Sequence, residues 1–267
     1  MIPYWDYDPL LVLGPLKVHA FGLLVVTGVL VGSWVTRRHA IARGVDVKHL
    51  RDALTWLLVS GFVGAHLFAV IAYEPARTLA DPLRLIMFWD GLSSTGGFFG
   101  AFIGLGQYCR KKKNAFGPIA DVVALGLLVG WLFGRLGCFT AHDHPGLTTD
   151  FFLAVNYPRH LGGPRHDLGF YEFLVTLALF GVFEIVRRRP MKPGSLAALI
   201  GVAYAPPRFA LDFLRLAPGD HPTLHSDIRY AGLTPAQYVC IALLIGCGAA
   251  LAVIVHRQEY PAAPKSL

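Results

Sequence analysis

Arg135 and Arg208 fall inside apolar stretches long enough to cross a membrane, residues 117–139 and 195–214. A guanidinium stays charged wherever it is placed. At the centre of a bilayer it costs roughly 2.5–3.5 kcal/mol on insertion scales. A chain that carries two of them needs fixed positive charge at membrane depth. The anion that a membrane offers is a phospholipid headgroup. Tyr204 and Asp212 flank Arg208 at i−4 and i+4, so the three share a helical face and Arg208 can pair with Asp212. Pro206 and Pro207 are expected to break that helix just before the arginine and free backbone carbonyls. Gly134 and Gly137 flank Arg135 and admit a neighbouring helix or a headgroup. Each arginine keeps two readings at this point. One is a phosphate clamp. The other is an Arg135 head that reaches the interface and an Arg208–Asp212 pair that only holds the fold.

Further polar groups gather around these two. Glu172 lies just inside the fifth apolar segment, and Arg135 or Arg208 is its natural cationic partner. Residues 89–97 mix glycines, hydroxyls and Asp90, so Thr95, Gly96 and Gly97 could cradle a phosphate through main-chain N–H groups. A re-entrant turn without a ligand satisfies the same residues. His142, Asp143 and His144 have the composition of a metal site. Two histidines two apart in a loop point only weakly to metal, so no metal or other cofactor is expected.

The elements that position these groups are apolar. The chain has 267 residues, 54% hydrophobic and 15% charged, with mean hydropathy +0.51. A soluble domain carries about 25% charged residues. The apolar residues form blocks near the ~20 residues that span a bilayer. Seven spans are predicted, at about 18–36, 53–73, 85–107, 117–139, 169–186, 195–214 and 235–256. The third is interrupted through 91–97. The fold class is thus an all-α polytopic membrane protein, with one helical domain over 1–267. The first sixteen residues lack a basic n-region and are not read as a removable signal peptide.

Basic runs mark alternate loops, at 37–51, 110–113 and 187–192, with Arg257 and Lys265 in the tail. The positive-inside rule then places the N-terminus outside and the C-terminus in the cytoplasm. That placement also explains the net charge of +7 without a nucleic-acid partner. The opposite loops hold His142, Asp143, His144, His160, His166, Asp167, His221, His225 and Asp227, so chemistry opens to the outer side. The four cysteines, Cys109, Cys138, Cys240 and Cys247, form no CxxC and read as packing thiols.

In order along the chain stand HAFGL, YEPARTLADPLRLIMFWDGLSSTGG, GRLGCF, RHDLGFYE, RPMKPGSLAALIGVAYAPPRFALDFLR and LTPAQ. Together they resemble the bacterial phosphatidylglycerol–prolipoprotein diacylglyceryl transferases over about residues 15–256. The resemblance implies transfer of diacylglyceryl from phosphatidylglycerol to a lipobox cysteine thiol, with glycerol phosphate as leaving group. It implies the bacterial cytoplasmic membrane, with the active site open to the extracytoplasmic side. The implied partners are phosphatidylglycerol or another anionic phospholipid, the preprolipoprotein signal peptide and membrane lipids. Arg135, Arg208, Tyr204, Asp212 and Glu172 correspond to catalytic positions. His19, Thr95, Gly96, Gly97, Cys138, His142, Asp143, His166 and Tyr171 correspond to substrate-binding surroundings. The chain departs from the family at several points. Thr95 replaces a histidine proposed as base, Phe21 a tyrosine, Cys138 an asparagine and Asp143 a glutamate. Gly64-Ala65-His66 replaces a GGR. His66, His142, His144 and His166 are the candidates to take over the base. Two alternatives stay open: the same donor with another acceptor, or a non-catalytic protein that binds anionic lipid.

Overall fold

The computed structural model describes residues 1–5, 10–13, 16–89, 91–224 and 226–256. Asp90, His225, Arg257 and Lys265 lie outside the described residues. The helices are α1 (Ala20–Ala42), α2 (Val47–Phe68, prolonged by a π turn Ala69–Tyr73), α3 (Pro75–Ala80), α4 (Ser94–Lys112), α5 (Phe116–Ala141), α6 (Leu168–Val186), α7 (Ser195–Leu211) and α8 (Pro235–His256). Short 3₁₀ turns run Pro82–Ile86 and Asp212–Leu214. Among the described residues, six segments are long and apolar enough to cross a membrane: α1, α2 with its π turn, α5, α6, α7 with its 3₁₀ turn, and α8. The chain is therefore a mostly helical, polytopic membrane protein. Outside that set stands α4, whose start is rich in glycine and whose last turn holds Arg110, Lys111 and Lys112.

Local chemistry sets the ends. The Asp46 side chain accepts from Lys48 N at 2.7 Å and starts α2, while Ser93 caps α4 through Gly96 N at 3.5 Å. That cap corrects the third predicted span. Its helix begins at Ser94, not near 85, so Thr95, Gly96 and Gly97 lie inside α4 and the interruption ends at Ser93.

Two pairs of antiparallel helices pack through small residues. A Cβ at Gly32 would lie 2.6 Å from the main-chain oxygen of Gly126, which joins α1 to α5. A Cβ at Gly100 would lie 2.2 Å from the main-chain oxygen of Ser60, which joins α2 to α4. Helices meet this closely only where side chains are absent. Gly100→Val should therefore force α2 and α4 apart, with a stability loss of about 1–3 kcal/mol. Thermal unfolding in detergent tests this; an unchanged midpoint contradicts the close seam.

The sequence reading contained helices alone, and the structure adds short strands. β1 (Ile2–Pro3), β4 (Pro145–Thr148), β5 (Val155–Asn156) and β6 (Pro164–Asp167) form a small sheet in the order β1-β5-β6-β4. β2 (Leu11–Leu13) pairs antiparallel with β3 (Leu16–Val18). Three of the four strands in the sheet come from the α5–α6 connection, which ties the outer polar residues into one layer.

The opposite end of the bundle is knotted by Asp121 near the start of α5. Its carboxylate is fully buried, accepts from Gly194 N and Ala197 N at 2.9 Å each, and faces Arg43 at 3.4 Å. Lys192 donates to the Ile254 and Val255 carbonyls at the end of α8. The basic loops around 43 and 192 thus meet at one end, away from the sheet.

Candidate active site

The C-terminal ends of α5 and α7 and the N-terminal end of α6 converge beside the small sheet. Arg135 from α5 and Glu172 from α6 are each 2% exposed, and Arg135 Nε lies 2.6 Å from Glu172 Oε2. Arg208 from α7 approaches the other carboxylate oxygen of Glu172 at 3.1 Å and pairs with Asp212 one turn on. Arg215 follows, 2.6 Å from Asp212 Oδ1, 2.8 Å from Asp227 Oδ2 and 4.0 Å from Glu172 Oε1. Three guanidiniums and three carboxylates thus form one chain of ion pairs.

Burial at this depth removes the interface-reaching alternative for Arg135. Its guanidinium also lies 4.2 Å from the centre of the Trp131 ring. Glu172 sits between two guanidiniums by charge; neither of its oxygens, nor Arg135 Nε, makes a well-directed hydrogen bond among the described residues. Those N–H groups can turn toward an incoming anion. Tyr204 lies one turn before Arg208 on α7, and its hydroxyl feels the charges of Glu172, Arg208 and Arg135.

Helix α7 runs unbroken through Pro206 and Pro207 to Leu211, contrary to the expected break before Arg208. Two prolines remove only two N–H donors from the ladder, and the packed neighbours of α7 hold the remainder. The register i−4, i, i+4 of Tyr204, Arg208 and Asp212 therefore survives intact.

Thr234 fixes Asp212 from the start of α8. Its hydroxyl donates to Asp212 Oδ2 and accepts from Gln237 N at 3.2 Å, while Gln237 Oε1 accepts from Thr234 N at 2.9 Å. This is a reciprocal capping box. Thr234→Val should cost about 1–2 kcal/mol from the cap. Unfolding of the purified variant measures it, and Thr234→Ser should retain wild-type stability.

The loop after α5 brings in further polar residues. His142 ends α5 in the left-handed region with φ of 49°. It is held there by stacking on Tyr4, with ring centres 4.6 Å apart, and by Nδ1 at 3.1 Å from Asp167. Asp167 also accepts from the Tyr157 hydroxyl at 2.9 Å and caps α6 through Phe170 N at 3.0 Å. His142 is thereby part of a latch between the sheet and two helices. The reversed turn sends Asp143 and His144 back toward Cys138, whose Sγ lies 3.9 Å from Arg135 Nη1. Partial desolvation by the surrounding chain raises the Asp143 carboxyl against the pull of Arg135, while 42% of its side chain stays exposed. Burial, then Arg215 and Arg135, hold the His144 imidazole well below its usual range.

The other predicted residues frame this centre. His166 on β6 meets the Tyr171 hydroxyl at 3.0 Å, and burial lowers its imidazole pKa. His19 precedes α1 as its N-cap, and Phe21 packs on Gly137, where a Cβ would lie 3.0 Å from its ring. His66 is fully buried, with its two ring nitrogens at 3.2 and 2.9 Å from the Gly91 and Arg84 carbonyls. Gly96 packs against Phe68 and Gly64, and Gly97 lies near Ala65. Thr95 is half-buried, one turn before Phe98, whose ring meets Trp131 at 4.6 Å edge-on. Trp131 in turn carries Arg135, so α4 reaches the arginines through two aromatic rings.

Arg215, Thr234 and Trp131 complete the constellation and were not singled out by the sequence reading, which named Asp227 only as one of the polar residues of the outer loops. A signal existed for Arg215, which continues the Arg208–Asp212 face at i+7 and i+3. Asp227 and Thr234 arrive from a loop and a helix cap whose approach no periodicity reveals.

Comparison with known proteins places these motifs in context. Residues 9–254 match the family described as prolipoprotein diacylglyceryl transferase. A phosphatidylglycerol–prolipoprotein diacylglyceryl transferase of Chromohalobacter salexigens is 34% identical over 261 residues, covering 97% of this chain and 96% of the relative. One of Azotobacter vinelandii is 29% identical, covering 97% and 98%. One of Pseudoalteromonas atlantica is 30% identical, covering 94% and 90%.

Proposed function

The chain belongs to the prolipoprotein diacylglyceryl transferase family, and from that premise we propose that it moves diacylglyceryl from phosphatidylglycerol to the thiol of a prolipoprotein lipobox cysteine. The observation that carries the reading is the buried run of Arg135, Arg208 and Arg215 threaded with Glu172, Asp212 and Asp227. A phosphodiester entering there exchanges with the carboxylates for guanidinium N–H donors. The thiol sulfur attacks the glyceryl carbon that bears the phosphate. The C–O bond breaks, and glycerol phosphate leaves with the electron pair. Preorganised guanidiniums at the leaving oxygen stabilise the charge that develops, usually the largest single catalytic contribution. Glu172 and Asp212 hold the arginines in place before the phosphate arrives, Asp212 keeps Arg208 and Arg215 oriented once the phosphate has displaced Glu172, and Tyr204 stands one turn before Arg208.

In this reading the protein is one transmembrane helical domain in the bacterial cytoplasmic membrane. Seven helices cross, with α4 as the third, the N-terminus outside and the C-terminus in the cytoplasm. The basic turns near Arg43 and Lys192 support that orientation. The ion-pair cluster then opens to the extracytoplasmic side, where the signal peptide presents its cysteine. His19, Thr95, Gly96, Gly97, Cys138, His142, Asp143, His166 and Tyr171 surround the lipid headgroup and the acceptor. Purified protein with phosphatidylglycerol and a lipobox peptide should yield the thioether and one glycerol phosphate per product, read by mass spectrometry. Absence of thioether from folded protein in phosphatidylglycerol bilayers overturns the proposal.

A further inference from the structure

We propose that Cys138, Asp143 and His144 form a three-ligand site for a divalent transition-metal ion, zinc by donor chemistry, with a fourth position open to the acceptor thiol. The existence of the site stands on its own geometry; the thiol at its fourth position rests on the transferase reading above.

One donor atom from each of the three residues lies within 4.8 Å of the others. Ligands on one tetrahedral zinc sit about 3.4–3.6 Å apart, given bonds of about 2.0–2.3 Å. Closure thus needs a movement of about 1 Å, within reach of side-chain rotation. The backbone brings the set together: Cys138 lies in the last turn of α5, and His142 in the left-handed region reverses the chain. The latch of His142 to Asp167 and Tyr4 holds that reversal. His144 Nδ1 lies 2.9 Å from the Asp143 main-chain oxygen. A carbonyl only accepts, so that nitrogen carries the proton and Nε2 keeps its lone pair. Metal-bound histidines are oriented by this kind of bond.

Thiolate, imidazole and carboxylate together suit zinc rather than magnesium or calcium. Three protein ligands and one open position form the catalytic pattern, whereas structural sites are closed by four. The charges fit the neighbourhood as well. A thiolate and a carboxylate cancel a dication, so the nearby Arg135 faces a neutral unit. The Cys138 sulfur stays free of any disulfide and lies beside that guanidinium. The acceptor cysteine binds as the fourth ligand and releases its proton to solvent. Its sulfur lone pair forms the new C–S bond while the C–O bond to phosphate breaks. The neutral thioether is a weak ligand and leaves.

The test reads metal content without turnover. Full-length protein in detergent, dialysed against zinc and desalted, should retain about one zinc per chain. Cobalt substitution should give thiolate-to-cobalt charge transfer in the near ultraviolet and tetrahedral bands in the visible. Cys138→Ser and His144→Ala should each weaken zinc binding by at least ~10-fold, while His160→Ala leaves it unchanged. Wild-type protein that retains no zinc, or a cobalt form without the thiolate band, overturns the site and needs no variant to do so. Chelation should abolish thioether formation and zinc should restore it. Transfer by metal-free enzyme overturns the role of the fourth position. Loaded protein that makes no thioether speaks against the transferase reading and leaves the metal site standing.

Discussion

Arg208→Ala is expected to lower diacylglyceryl transfer by about 10²–10³-fold, the usual cost of removing one preorganised donor from a site of developing charge. Arg208 holds Glu172 at 3.1 Å through Nε and Asp212 through Nη1, so one planar group serves two carboxylates from two helices. A lysine supplies one point charge and cannot span both positions. Arg208→Lys should therefore recover less than about a tenth of the wild-type rate. Initial rates at saturating phosphatidylglycerol, with the unfolding midpoint of the same preparations, separate lost chemistry from lost fold. An alanine variant that remains folded and keeps more than about a tenth of the activity rules out the clamp.

Glu172→Ala should act first on stability. It removes the carboxylate that lies 2.6 Å from Arg135 and 3.1 Å from Arg208, and leaves both guanidiniums buried against each other. Breaking a buried pair from one side costs about 3–5 kcal/mol, chiefly through the charge left behind. The unfolding midpoint in detergent should fall sharply and the yield of folded protein with it. Combining Glu172→Ala with Arg135→Met should cost less than the sum of the two single changes, because the second change removes a charge that the first has orphaned. Strictly additive losses contradict the coupling.

The sequence revealed most of the helices because apolar blocks of bilayer length need little tertiary information to be recognised. It also revealed Arg135, Arg208, Asp212 and Glu172, since charge inside such blocks is conspicuous and a turn of helix dictates the Arg208–Asp212 pair. Three features escaped. The third span was drawn too early because residues 85–93 are apolar enough, and only the Ser93 cap sets where α4 starts. The sheet escaped because its strands are two to four residues long, too short for alternation to register. His142 and His144 were read as a pair by adjacency, yet the left-handed turn at His142 sends one to Asp167 and the other to Cys138. A backbone reversal of that kind depends on Tyr4 and Asp167, both distant in sequence.

The balance of three arginines against three carboxylates also bears on how the enzyme lets go. In the proposed reaction, a phosphate can hold Arg135 and Arg208 only while Glu172 is displaced. Glu172 remains tethered to α6 a few ångströms away, at an effective concentration that no free anion matches. Once the C–O bond has broken, the glycerol phosphate no longer gains from its diacylglyceryl anchor in the bilayer. Glu172 then wins the arginines back. The resting ion pair is thus an internal competitor that resets the site after each turnover. It is also a reason for soluble phosphates to inhibit the enzyme poorly.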